Sequence, residues 1–329
     1  MREIIRKVPI PTAGVALGLA ALGNLLQPYT EIVHIVCGIL SLVLIAMLGA
    51  KIALFPDMIR DDLHNSIMAS VSATLFMTLM QLAGYLAPFA YIPAFALWSA
   101  AVVAHLALMG WFTARFISHF KLHEVFPTYF ICYVGIVVAS VTSPTFGMEA
   151  VGHLLFWFGF ACYVVLLGLV TYRYMKHEIP ESARPLFCIY TAPMSLSLVG
   201  YLATAPQPNL VFVLAMLVLA QVLFAVVLSR LPVLLRLRFY PSYAAMTFPF
   251  VITATALGKA LAFFQANGLA VPDVLNVLFA AEAAVSVVMV GYVFIHYLHF
   301  FFMRIEEPKS AAVIRENKQT ARFSEYFEN

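Results

Sequence analysis

The sequence predicts an all-α integral membrane protein, with ten transmembrane helices paired as five helical hairpins around a central pore. Three observations predict it: 63% of the 329 residues are hydrophobic and only 11% charged, the apolar residues fall in ten separate stretches, and those stretches alternate in polarity. A soluble domain of this length cannot hide so much apolar surface in one core, so lipid must be the solvent for most of it.

A helix needs ~20 largely apolar residues to cross the hydrocarbon layer. Segments that satisfy this lie at residues 10–27, 32–50, 66–86, 89–112, 126–144, 148–171, 185–204, 209–229, 241–264 and 272–303. Residues 1–303 therefore read as one transmembrane domain and 304–329 as a short cytoplasmic tail. The amino end carries Arg2, Arg6 and Lys7 before an apolar run, as a signal sequence does. No small-residue cleavage site follows, and the run is read as the first span. Connectors after the odd spans hold no Lys or Arg, so 18 of the 19 basic residues fall on the opposite face. The positive-inside rule makes that face cytoplasmic and places both termini inside the plasma (inner) membrane. The exception is Lys259, within the ninth span.

The odd spans contain 21 Ser, Thr, Asn and Gln residues and the even spans 8. In the third span Ser66, Ser70, Thr74, Thr78 and Gln81 recur at steps of four and three, which places them in one stripe along a helix. Pro11, Pro127, Pro193 and Pro249 each sit early in an odd span, in a hairpin unit of 56 to 66 residues, and Ala69 fills the matching slot of the third. A proline inside a helix frees a carbonyl and bends the axis, which hydrocarbon tolerates where protein or water meets the freed group. The pattern predicts an inner ring of odd helices with the even helices as lipid-facing buttresses. The competing reading of the same residues is close helix packing without a pore.

Lys259 needs water or a counter-charge, because an intramembrane ammonium costs at least about 2.5 kcal/mol on insertion scales. Glu282 in the tenth span is the candidate ion-pair partner; alternatively, Lys259 lends positive potential to a conduit and favours anions. Phe248 precedes Lys259 by eleven residues, which returns to nearly the same helix face, about 16 Å away along the axis. Thr255 lies near that face. If Lys259 faces a conduit, Phe248 obstructs it nearer the cytoplasm. The expected pore-lining positions are Pro11, Gly14, Ser70, Thr74, Pro127, Pro193, Pro249, Thr255 and Lys259, with Phe248 as the gate.

Other chemistries find little support. Cys37, Cys132, Cys162 and Cys188 are widely spaced within apolar stretches and read as small buried hydrophobes rather than metal ligands. His34, His105, His153, His296 and His299 fall in even spans, where the ring scheme turns them to lipid. They raise the alternative of a membrane redox or sensor protein, since paired imidazoles can hold haem, but no bis-histidine spacing repeats across two helices. His64, His119, His123 and His177 sit in cytoplasmic connectors. No hydrolytic signature is present, so no enzyme activity, metal or cofactor is expected. The net charge of +3 is spread along short connectors and does not suit nucleic acid.

Three stretches resemble a known family: residues 9–23 (PIPTAGVALGLAALG), 123–130 (HEVFPTYF) and 239–249 (FYPSYAAMTFP). In this order along a ten-span chain they are similar to the tellurite-resistance and dicarboxylate transporter family, which includes the bacterial TehA proteins, fungal malate permeases and plant slow anion channels. The resemblance implies five hairpins around a pore lined by the odd helices, a homotrimer, and transport of small anions, either inorganic ones or dicarboxylates such as malate. It also implies an occluding phenylalanine on the ninth helix, at the position of Phe248. It implies nothing for Lys259.

Overall fold

The computed structural model describes residues 2–302, and every regular element among them is helical. The tail at 304–329 lies outside the described residues. Eight helices are long and apolar enough to cross a membrane. They are α2 (Glu31–Leu54), α3 (Ser66–Leu86), α4 (Tyr91–Ile117), α6 (Glu149–Lys176), α7 (Glu181–Thr204), α8 (Leu210–Leu234), α9 (Pro241–Ala266) and α10 (Asp273–Phe302). Two shorter apolar segments complete the order: α1 (Thr12–Leu26), and α5, built from Thr128–Tyr133, Val137–Thr142 and the 3-10 turn Ser143–Phe146.

Each odd element packs on the even one that follows it. The odd elements also contact one another in cyclic order, α1 on α3, α3 on α5, α5 on α7, α7 on α9, and α9 back on α1. Burial follows this order. In the apolar windows of α3, α7 and α9, 61%, 83% and 67% of residues are buried, against 28–33% in all five even helices. The even helices instead expose large aliphatic side chains such as Val165, Val211, Val288 and Ile295, a surface that hydrocarbon solvates without cost.

The prolines do something other than kink continuous helices. Pro11 and Pro127 immediately precede α-helical runs, and Pro193 and Pro249 are second residues of the runs Ala192–Thr204 and Phe248–Ala266. In α7 and α9 the preceding chain is a 3-10 segment, Glu181–Thr191 and Pro241–Met246. Proline is well tolerated at a helix start because the N–H it lacks would have no intrahelical partner there. The sharpest break in the odd elements is in α5, where Gly135 N–H bonds Phe130 O and Val137 N–H bonds Val134 O, so the ladder widens and then tightens around residues 134–136. A side chain at Gly135 would collide with the carbonyl oxygen of Ile131 in the distorted turn and would also meet Met77 Sδ of α3 at 2.7 Å, which explains the glycine there.

The polar stripe of α3 is buried, and it serves contacts between the odd elements. Ser66 Oγ donates to Glu124 O (2.9 Å), Ser70 Oγ lies 2.7 Å from Thr128 Oγ1, Thr78 Oγ1 lies 3.1 Å from Ala13 O, and Gln81 Oε1 accepts from Asn24 Nδ2 (2.6 Å). Equivalent bonds join α7 to α9, where Thr191 Oγ1 donates to Pro249 O (3.1 Å) and Ser195 Oγ lies 3.2 Å from Thr253 Oγ1. Close packing and polar composition are thus the same feature here.

His299 is exposed on α10, as the ring scheme expected, but His34, His105 and His153 turn to partners within the protein. His105 is fully buried with Nε2 2.9 Å from Cys132 O, His34 stacks on Tyr85 at 4.0 Å, and His153 Nε2 accepts from Trp157 Nε1. An imidazole surrounded by hydrocarbon has no hydrogen-bond partner, so these rings rotate toward neighbouring side chains and carbonyls.

Candidate functional site

Two cavities lie one beyond the other: the inner one within the ring of odd elements, the outer one bordered by odd elements and also by the even helices α2 and α4. The inner one, on the face that carries the basic connectors, has a volume of about 230 Å³ and takes wall residues from all five odd elements: Gly14 of α1 with Pro11 just before it, Thr74 of α3, Phe130 and Gly135 of α5, Pro193 and Leu196 of α7, and Phe248 and Pro249 of α9. No charged side chain borders it. The outer cavity, about 1060 Å³, is bordered by Asn24, Glu31, His34, Gln81, Thr142, Thr255 and Lys259 among others.

No residue borders both cavities. Along the chain the change from one to the other takes about one helical turn or less on four elements: Leu17 to Ala21, Met77 to Leu79, Leu196 to Val199, and Phe248 to Ile252. The last of these steps is about 6 Å along the axis. The wall between the cavities is therefore thin and apolar, and Phe248, 5% exposed, is its only aromatic contribution from α9.

The chain positions Phe248 through the residue before it. Thr247 has φ −108° and ψ −91°, between the 3-10 segment and the first α-helical residue, Phe248. Its hydroxyl lies 3.1 Å from Gly14 O and 2.7 Å from Ala244 O, which ties the junction to α1. Gly18 of α1 makes the approach possible: a Cβ there would lie 2.5 Å from Thr247 Cβ and 3.0 Å from Phe248 N. The sequence reading missed Gly18 and Thr247. The alternation of Gly14 and Gly18 at helical spacing was the available signal.

Of the expected pore-lining residues, Pro11, Gly14, Thr74, Pro193 and Pro249 border the inner cavity with Phe248, and Thr255 and Lys259 border the outer one. Ser70 and Pro127 border neither. Ser70 is consumed at the contact of α3 with α5, and Pro127 is buried three residues before Phe130, which does reach the cavity.

Lys259 and Glu282 do not form an ion pair. Gly258 packs against the ring of Phe279, which fixes the face that α9 turns to α10 and swings the next residue, Lys259, into the outer cavity. Glu282 is 2% exposed, and the polar side chain facing it is Gln221 of α8 rather than Lys259. The two residues differ in depth by roughly 8 Å at ~1.5 Å per residue, which a lysine stem closes only in part, and their helix faces differ as well. Lys259 shares its cavity with an acidic residue that the sequence reading passed over, Glu31 at the start of α2.

Among the described residues no three His, Cys, Asp or Glu side chains converge in a way that could hold a metal ion. The inner cavity does offer a field. The α-helical runs beginning at Thr12, Thr128, Ala192 and Phe248 all start on its side, and none has a side-chain N-cap. Helix starts carry partial positive charge; here the first N–H groups are bonded to carbonyls just upstream, as Gly14 N–H is to Pro11 O and Phe250 N–H to Thr247 O, so the field at the neutral inner cavity is weak and positive in sign.

Comparison with known proteins agrees with this geometry. No individually curated protein matches the chain. Residues 7–298 match the SLAC1 family, described as voltage-dependent anion channels. That family includes the slow anion channels named in the resemblance above, and it is a family of channels rather than enzymes. With nearly the whole described chain matched, a ring of odd elements around a neutral cavity and a lipid-solvated exterior, this multi-pass membrane protein belongs to the SLAC1 family of voltage-dependent anion channels.

Proposed function

We propose that the chain forms a ten-span subunit of five helical hairpins whose odd elements enclose an anion pathway, closed by Phe248. The observation that carries this is the inner cavity itself, walled by all five odd elements, free of charged side chains, and lined in part by Phe248. In this reading α1 and α5 span the membrane despite their short α-helical runs, and both termini face the cytoplasm by the charge bias of the connectors. A homotrimer is proposed on the family resemblance, with the exposed aliphatic faces of the even helices available for subunit contacts and lipid.

The substrates proposed are inorganic anions such as chloride or nitrate. A dicarboxylate such as malate carries two charges and needs two compensating groups on entering a dry site, whereas the inner cavity offers helix starts and no cation. Proteoliposome flux tests this directly. Chloride and nitrate are expected to pass much faster than malate, with no dependence on a proton gradient. Malate flux that exceeds chloride flux and follows the proton gradient overturns the channel reading in favour of a carrier.

The outer cavity supplies a second test with a sign. Lys259→Met should lower the anion-to-cation permeability ratio and Glu31→Gln should raise it, each by at most about fivefold, since one charge in a wet vestibule is worth on the order of 1 kcal/mol. Reversal potentials in a salt gradient measure both. Shifts in the same direction, or none, remove these residues from selectivity.

A further inference from the structure

We propose that a pocket on the basic face, beside the inner cavity, binds a small oxyanion of the sulfate and phosphate class, with Arg173 as its anchor. The pocket has a volume of about 520 Å³ and is formed by residues 64–67, residues 123–126 and the end of α6 with residues 177–180. Asn65 and Ile67 border both this pocket and the inner cavity, so an anion held here sits at the cavity's entrance. The site is distinct from the pathway proposed above, and direct binding tests it whether or not that pathway conducts.

Arg173 is 2% exposed, and no carboxylate lies within ion-pair distance of it among the described residues. Its Nη2 donates to His123 O at 3.2 Å and its Nη1 to His177 O at 3.5 Å, while the guanidinium lies 4.3 Å from the ring centre of Phe126 and 5.6 Å from that of Tyr174. Nε has no partner. A guanidinium carries five N–H donors, so two carbonyls leave most of its capacity unused. A buried cation without a counter-charge is costly to hold, and an oxyanion with several acceptor oxygens supplies both the charge and the missing bonds.

The rest of the lining fits the same ligand. His64, His123 and His177 surround the pocket, with the rings of His123 and His177 6.4 Å apart. Histidine gains its positive charge between about pH 8 and pH 5. Two acidic residues oppose it. Glu124 is already engaged, 3.1 Å from Lys121 Nζ and 3.7 Å from His123 Nε2, and Glu178 lies at the exposed rim. A purely structural arginine that ties α6 to the chain before α5 would account for the two carbonyl contacts. It would not account for the unpartnered Nε or for three histidines facing a cavity of this size.

Sulfate is the probe of choice, because its charge does not change between pH 6 and pH 8. Equilibrium dialysis of radiolabelled sulfate against the purified full-length protein in detergent should show saturable binding, about tenfold tighter at pH 6 than at pH 8. Arg173→Gln should weaken it tenfold or more, and Arg173→Lys, which keeps the charge and loses the planar fork, should also weaken it. Exchange of an exposed arginine elsewhere on this face, Arg230→Gln, should leave it intact. Should the Arg173 variants fail to fold, the triple variant His64→Ala/His123→Ala/His177→Ala changes only exposed side chains and should abolish the pH dependence. Absence of saturable sulfate binding at pH 6 overturns the proposal, as does binding that neither the arginine nor the histidine substitutions alter.

Discussion

Phe248→Ala should raise chloride flux through reconstituted protein by at least an order of magnitude. The wall between the two cavities is about one helical turn thick, and Phe248 is the largest side chain that α9 contributes to its inner side. Truncation to alanine removes the ring and lets the inner cavity extend toward Ile252 and Thr255, which already border the outer one. A narrow passage wets once it widens past the dewetting limit, so the response should be steep rather than proportional to the volume removed. Phe248→Leu, with a smaller and more flexible side chain, should give an intermediate flux. Removing a buried phenylalanine commonly costs about 3–5 kcal/mol, but here one side of the ring borders open cavity and the loss of contacts is smaller. Size-exclusion profiles in detergent separate a folded, leaky variant from an unfolded one. Folded protein with unchanged flux would take Phe248 out of the closing mechanism.

The second large effect is expected at a residue without a side chain. Gly18→Ala adds one methyl group, which would lie 2.5 Å from Thr247 Cβ, 2.7 Å from Thr247 Oγ1 and 3.0 Å from Phe248 N. None of these is the end of a long side chain that can swing aside, and Thr247 is held by its bonds to Gly14 O and Ala244 O. The junction at Thr247 must therefore move, at a cost of about 1–3 kcal/mol for overpacking. A lower thermal midpoint in detergent is the first readout. Higher basal chloride flux is the second, because the junction that moves carries Phe248. Gly168→Ala is the control: a Cβ there meets nothing within 4 Å, and alanine gains up to about 1 kcal/mol of helix propensity over glycine. If Gly18→Ala matched the wild type in both midpoint and flux, the close approach of α1 to α9 would have no part in closing the pathway.

Much of the architecture is legible in composition, because the solvent on each side of a helix leaves its mark on the residues. Helices that meet lipid around most of their circumference are runs of Leu, Val, Ala and Phe, while those surrounded by protein can carry Ser, Thr and proline. Hence the odd and even stretches differ on inspection, and the buried shares of α3, α7 and α9 against the even helices follow the same division. The proline positions are equally visible, although what they do is not. A periodic proline marks either a bend or a beginning, and the 3-10 segments ahead of Ala192 and Phe248 make it a beginning.

What the sequence alone determined is a membrane protein with two classes of helix, a repeating hairpin unit and a phenylalanine poised beside the last proline of the series. Only the tertiary structure decided the rotation of each helix about its own axis. It turned Ser70 into the contact with Thr128, seated Thr74 on the inner cavity, parted Lys259 from Glu282, and left the guanidinium of Arg173 beside an open pocket. The physical reason is that a serine or threonine satisfies its hydroxyl on its own helix's carbonyl four residues back, as Ser70 does on Ser66 O and Thr78 on Thr74 O. Such a residue is equally content against a neighbour or a cavity. The facing side is then set by close contacts between helices, such as Gly258 on Phe279 and Gly18 on Thr247, which bring together residues far apart in the chain.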